Sequence, residues 1–127
     1  MMTPQRIEDY LKTIYKLSAS GEVRACRLAE ELGMSRPTVS VALRQLAQKD
    51  YLSISRDNAI ALTDQGLRVA RTVLDRYQII YDLLVSLRVD QTAATRDACW
   101  LEHGLSETSY QALKQLIRER RLFTADS

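Results

Sequence analysis

Leu28-Ala29-Glu30-Glu31-Leu32-Gly33-Met34-Ser35-Arg36-Pro37-Thr38-Val39-Ser40 has the spacing of two short helices joined by a tight turn. Such a pair needs a small residue where the helices touch, here Ala29. It needs a residue that accepts positive φ in the turn, here Gly33, and an apolar anchor on the second helix, here Val39. Leu28, Leu32 and Met34 fill the inward positions around them. The reading is a helix-turn-helix, its helices over residues 25–32 and 36–49. Ser35 is the N-cap of the second, and Pro37 lies in its first turn, where a missing N–H is tolerated.

Outward from this segment, Thr3-Pro4 reads as an N-cap and first helical position. Ile7, Tyr10, Leu11, Ile14 and Leu17 then give a helical stripe. On the other side, 51–55 and 59–62 alternate like strands around the turn Arg56-Asp57-Asn58. Thr63 caps a long helix over 64–88, striped by Val69, Val73, Tyr77, Ile80, Leu84 and Leu87. A fifth helix spans 90–103 and is stopped by Gly104. Ser106 caps a last helix carrying Tyr110, Leu113, Leu116 and Ile117. The expected fold is mainly α: a winged helix-turn-helix with a small β-hairpin wing over 1–63, then a helical domain over 64–127.

The formal net charge is only +2, so a nucleic-acid footprint has to be local. From Leu32 to Lys49 there is no Asp or Glu, while Arg36, Arg44 and Lys49 are present. Ser35, Arg36, Pro37, Thr38 and Ser40 cluster at the helix end that enters the major groove in such modules. Hydroxyls and backbone N–H groups there suit phosphate oxygens, and Arg36 and Arg44 suit phosphates or guanine edges. Arg56 at the wing tip suits a backbone or minor-groove contact. The expected partner is double-stranded DNA. No stretch approaches the roughly 20 apolar residues that span a bilayer, and residues 1–16 hold no uninterrupted apolar run. The expectation is a soluble, cytoplasmic chain with no membrane partner. Its two cysteines, Cys26 and Cys99, are too few for a disulfide framework and are expected as thiols.

Cys99, Glu102 and His103 stand at i, i+3 and i+4, on one face of a helix. Thiolate, carboxylate and imidazole together supply most of a transition-metal site. A helix-capping histidine and a small buried cysteine are the plain alternative. A zinc hydrolase would need two histidines around its glutamate, and the chain has one. With no Gly-rich phosphate loop and no nucleophile–base pair, no enzyme and no small-molecule substrate are expected. A redox role at Cys26, near a helix N-terminus, is a further alternative.

Glu8-Asp9-Tyr10-Leu11-Lys12-Thr13-Ile14-Tyr15 and Asp97-Ala98-Cys99-Trp100-Leu101-Glu102-His103-Gly104-Leu105-Ser106 resemble the diphtheria toxin repressor and manganese transport regulator family. Val23-Arg24, Leu28-Ala29-Glu30, residues 35–40 and Leu62-Thr63-Asp64-Gln65-Gly66 follow the same pattern in order. The resemblance covers essentially the whole chain, in the short form without the SH3-like domain. It implies a homodimeric repressor of a palindromic operator, dimerising through residues 64–127. It further implies a divalent metal between the first and fifth helices, with Asp9, Cys99, Glu102 and His103 on ligand positions. Lys12, Tyr77, Tyr81 and Thr95 stand where the family's other ligands fall, so at most one metal site per protomer is expected. A soft thiolate ranks Fe(II) first and Mn(II) next as effector, with Co(II) or Zn(II) binding in vitro. The alternative is a metal-independent member, in which Lys12 stands in for a cation and Tyr77 for a ligand. Such a protein is constitutive or answers to another signal, such as redox chemistry.

Overall fold

The structure is a computed structural model that describes residues 2–125, with side chains described through residue 120. The elements in order are α1 (Pro4–Ser18), α2 (Ala25–Leu32), α3 (Arg36–Gln48), β1 (Leu52–Ile54), β2 (Ile60–Leu62), α4 (Asp64–Ser86), α5 (Gln91–Leu101) and α6 (Glu107–Ala125). The chain divides into two compact units, Met1–Thr72 and Val73–Ser127. No helix among the described residues is long and apolar enough to cross a membrane.

The local signals act where the sequence places them. Thr3 accepts the Arg6 N–H at 3.2 Å, and Pro4 opens α1. Ser35 Oγ accepts the Thr38 N–H at 3.3 Å and opens α3. Asp90, expected as the first residue of the fifth helix, is instead its cap: its side chain accepts the Ala93 N–H at 3.2 Å and α5 begins at Gln91. Each side chain satisfies a backbone donor that has no partner inside its helix.

Three helices end on a left-handed residue, for which glycine carries no steric cost. After α2 this residue is Gly33, φ 65°, with the Met34 N–H closing on the Ala29 carbonyl at 3.0 Å. After α3 it is Asp50, φ 65°, with the Tyr51 N–H on the Leu46 carbonyl at 3.0 Å. After α4 it is Arg88, φ 68°, with the Val89 N–H on the Leu84 carbonyl at 3.0 Å. These closures stop α3 and α4 short of the expected residues 49 and 88. Leu87, expected on the buried stripe of α4, lies past the helix end and is 59% exposed. The fifth helix ends at Leu101, not His103, where the chain tightens into an i+3 turn, the Gly104 N–H reaching the Leu101 carbonyl at 3.1 Å.

In the first unit, Tyr10 and Ile14 of α1 pack with Leu28 and Ala29 of α2 and Val39, Ala42, Leu43 and Leu46 of α3. Leu52 and Ile60 of the hairpin join the same core. The strands pair antiparallel in the register Leu52–Leu62, Ser53–Ala61 and Ile54–Ile60. A third, one-residue bridge joins Val23 to Ile60, whose N–H donates to the Val23 carbonyl at 2.9 Å. Gly66, in the first turn of α4, lies against the Tyr51 backbone: a Cβ built there would stand 2.0 Å from the Tyr51 carbonyl oxygen. In the second unit Ile79 of α4 packs with Tyr110 and Ile117 of α6, flanked by Leu83 and Leu113.

Candidate nucleic-acid interface and metal centre

The first turn of α3 stands clear of the core. Ser35, Arg36, Pro37, Thr38 and Arg44 are exposed and Ser40 is half-buried, while Val39 and Leu43 hold the opposite face inside. Ser35 also donates its hydroxyl hydrogen to Thr38 Oγ1 at 2.8 Å, so both hydroxyls are held at the helix N-terminus. Arg36, Ser40 and Arg44 line one open groove of about 400 Å³ with Arg24 and Cys26 of the α2 start and Ile54 and Asn58 of the wing. Arg56 sits at the exposed wing turn, outside that groove. The groove therefore joins three cationic side chains and the N-terminal face of α3.

The wing is fixed by Arg24, which the sequence did not single out. Its guanidinium donates to the Asp57 carbonyl and, at 3.3 Å, to the Asp57 carboxylate; it also meets Glu22 at 3.0 Å. Ser55 donates to the Asp57 carboxylate as well. The Ser55 hydroxyl, the residue's own backbone N–H and the Arg24 charge hold the Asp57 carboxyl below the usual aspartate range. Hydrogen bonding and charge from Glu22 and Asp57 raise Arg24. Arg24 lies far from Asp57 in sequence, and no local pattern announces the pair.

Of the metal-ligand candidates, the structure brings Glu102 and His103 together. Glu102 Oε1 lies 3.2 Å from His103 Nε2, and the side chains are 0% and 8% exposed. A carboxylate withdrawn from water needs a counter-charge or several hydrogen bonds. Donors about 2.1 Å from a common first-row cation stand about 3 Å apart when cis to one another. The oxygen–nitrogen spacing and the burial both fit that arrangement. Cys99 lies one turn earlier on α5 with its thiol exposed. Asp9 is half-buried on α1, where it borders a concavity with Arg6, Tyr10, Lys12 and Thr13. Burial, opposed by Arg6, pushes the Tyr10 hydroxyl up. Tyr77 and Tyr81 stack one turn apart on α4, with ring centroids 5.9 Å apart and planes 17° from parallel.

Arg76 is a second residue the sequence reading missed. Its signal was visible: it stands three residues after Val73 and four before Ile80, a cation on the apolar side of α4. It donates to the Leu105 carbonyl and to Glu107 Oε2, each at 3.0 Å, and lies over the Tyr110 ring at 5.1 Å. The Tyr110 hydroxyl donates to Asp75, and Lys114 reaches the same carboxylate at 3.2 Å. Burial and the Asp75 carboxylate raise the Tyr110 pKa, and the hydrogen bond to Asp75 raises that of Lys114.

Two family models cover the chain. The one described as "Iron dependent repressor, N-terminal DNA binding domain" matches residues 2–60. The one described as "Iron dependent repressor, metal binding and dimerisation domain" matches residues 63–121. A relative named transcriptional regulator MntR, from Escherichia coli O157:H7, is 34% identical over 109 residues, 85% of this chain and 70% of that protein. An uncharacterized HTH-type transcriptional regulator of Methanocaldococcus jannaschii is 32% identical over 113 residues, 87% of this chain and 90% of that protein. Among solved structures, that of the manganese regulator SloR superposes with a TM-score of 0.77 at 28% identity, over 92% of this chain and 55% of that one.

Proposed function

The chain belongs to the iron-dependent repressor family, and on that premise we propose that it is a homodimeric repressor whose grip on a palindromic DNA operator follows a divalent metal. The family is one of metal-dependent transcriptional regulators with a DNA-binding and a dimerisation part. We assign residues 1–63 to the first and 64–127 to the second. The observation that carries the metal response is the Glu102–His103 pair at the end of α5, with Glu102 fully buried and His103 nearly so, inside the segment that matches the metal-binding domain. The metal-independent reading built on Lys12 is not favoured, because both matching models describe iron-dependent repressors.

Glu102 and His103 are the proposed central ligands, with Asp9 and Cys99 completing the set. When bound, a divalent cation supplies a positive charge that these donors share. Glu102 and Asp9 contribute hard oxygens and His103 a borderline nitrogen, a set that suits Mn(II) and Fe(II) alike. The likeness to SloR, a manganese regulator, moves Mn(II) ahead of Fe(II) for this chain. On the DNA side, Ser35, Thr38 and the Arg36 N–H at the start of α3 meet phosphate, with Pro37 presetting that turn. Arg36, Ser40 and Arg44 reach base edges or phosphate in the major groove, and Arg56 reaches the backbone beside it. Half-sites about one helical turn apart, or a multiple of it, follow from two-fold symmetry.

The test is DNA binding by the reduced protein, with and without Mn(II), on duplexes selected from a random pool. Metal is expected to tighten binding in the wild type. In Glu102→Gln, dimer and fold persist by light scattering and circular dichroism, and the metal response is lost. A surviving response in that variant refutes the site. The near-ultraviolet thiolate band of the Co(II) form, absent in Cys99→Ser, decides whether Cys99 is a ligand.

A further inference from the structure

The loop that follows α5 carries both halves of the Glu102–His103 pair, and loops do not hold side chains to a fraction of an ångström unaided. Its backbone ties to α5 include the Glu102 N–H on the Ala98 carbonyl at 3.0 Å and the Gly104 and Leu105 N–H groups on the Leu101 carbonyl. A different tie comes from α4, where Arg76 donates to the Leu105 carbonyl at 3.0 Å, two residues beyond His103. The other tooth of the guanidinium fork goes to Glu107 Oε2 at 3.0 Å, at the start of α6. Its face lies 5.1 Å from the Tyr110 ring centroid, and the Tyr110 hydroxyl is bound to Asp75, the residue before Arg76. The Arg76 side chain is only 15% exposed. A rigid guanidinium is thus fixed on three sides, and it fixes the loop in turn.

We infer that Arg76 is a positioning residue for the Glu102–His103 pair, acting through the Leu105 carbonyl. The inference rests on the metal site proposed above. Two donors must be aimed at one point for a cation to bind tightly, and a loop ordered in advance avoids the entropy cost of aiming them. Loss of such outer contacts lowers metal affinity by about 10- to 100-fold.

His103 is the single histidine of the chain, so every imidazole signal in a magnetic-resonance spectrum belongs to it. Metal-free wild type and Arg76→Met are compared by ring nitrogen and proton shifts. Methionine keeps the packed stem and removes the fork. The expected result is that His103 signals move toward those of an exposed imidazole in Arg76→Met, and that Co(II) affinity falls by about 10- to 100-fold. Arg76→Lys keeps the charge but replaces the rigid fork by a compact ammonium, so the paired grip on Glu107 and Leu105 is lost. It is expected to shift His103 in the same direction, and it decides the question where Arg76→Met does not fold. Unchanged His103 signals in a folded variant overturn the inference whatever happens to the metal. A wild type that takes up no Co(II) refutes the metal site alone, and the His103 signals still decide for or against Arg76.

Discussion

Gly66→Ala adds one methyl group at the point where α4 rests on the chain entering the wing. The added carbon would stand 2.0 Å from the Tyr51 carbonyl oxygen, 3.0 Å from its carbon and 3.4 Å from Leu62 Cδ2. The first distance is more than 1 Å inside contact range, and the obstacle is backbone, so no side chain can swing away. Relief requires the start of α4 to move off residues 50–51. That movement strains the Thr63 N–H bond to the Tyr51 carbonyl (3.1 Å) and the Thr63 hydroxyl bond to the Asp50 carbonyl (2.6 Å). Overpacking of this kind costs about 1–3 kcal/mol. Each weakened hydrogen bond adds about 1 kcal/mol. Alanine returns about 1 kcal/mol through helix propensity. The net expectation is a loss of about 2–4 kcal/mol. For a chain of this size that lowers Tm by roughly 7–15 °C. Urea and thermal unfolding followed by circular dichroism measure it, with the exposed neighbour Gln65→Ala as the neutral control. A Gly66→Ala protein as stable as wild type, or more stable by the propensity term, refutes the close approach.

Arg88→Gly should raise stability by about 0.5–1 kcal/mol, since it removes a side chain from the left-handed end of α4; an unchanged or lower Tm counts against it. Arg44→Ala should weaken operator binding and reduce the slope of log affinity against log salt by about 1 if the side chain meets phosphate. Equal slopes in a salt series remove it from the interface. The Asp57 carboxyl is depressed in the folded wing, so its contribution is complete above the ordinary aspartate range and is lost only as pH falls through the lower folded value. Amide spectra of Ser55 and Ala59 should therefore hold steady through the usual aspartate range and change only below it, and Arg24→Ala should move that change to higher pH.

What the sequence made legible is what acts over a few residues. Thr3 and Ser35 cap the helices they precede, and Gly33 turns the chain between α2 and α3 because no Cβ opposes it there. Val39, Leu43 and Leu46 face inward at helical spacing, and 52–54 and 60–62 pair around Arg56-Asp57-Asn58. Asp50 and Arg88 were harder to foresee: both adopt the left-handed conformation without being glycine, held by the carbonyls that the next residue's N–H must reach. In the site, the triplet Cys99, Glu102, His103 was read as one helical face. Glu102 follows the buried Ala94 and Ala98 at i+8 and i+4 and shares their inward face, whereas Cys99 stays exposed. Arg24 and Arg76 act on residues distant in sequence, and a period-based reading registers them only as charges.

The single bridge between Val23 and Ile60 has a kinetic consequence. It closes a loop that contains the whole of α2, α3 and β1, so its ends meet at the entropy cost of a long closure. The helices inside the loop form from near neighbours and can dock first, whereas the hairpin's inner edge waits for a strand that precedes them all in the chain. The wing is then the late step in the assembly of the first unit. During synthesis, the N-terminal helices stand without it until residues beyond 60 have left the ribosome. A mutation that weakens the bridge should hasten unfolding and leave the folding rate nearly unchanged.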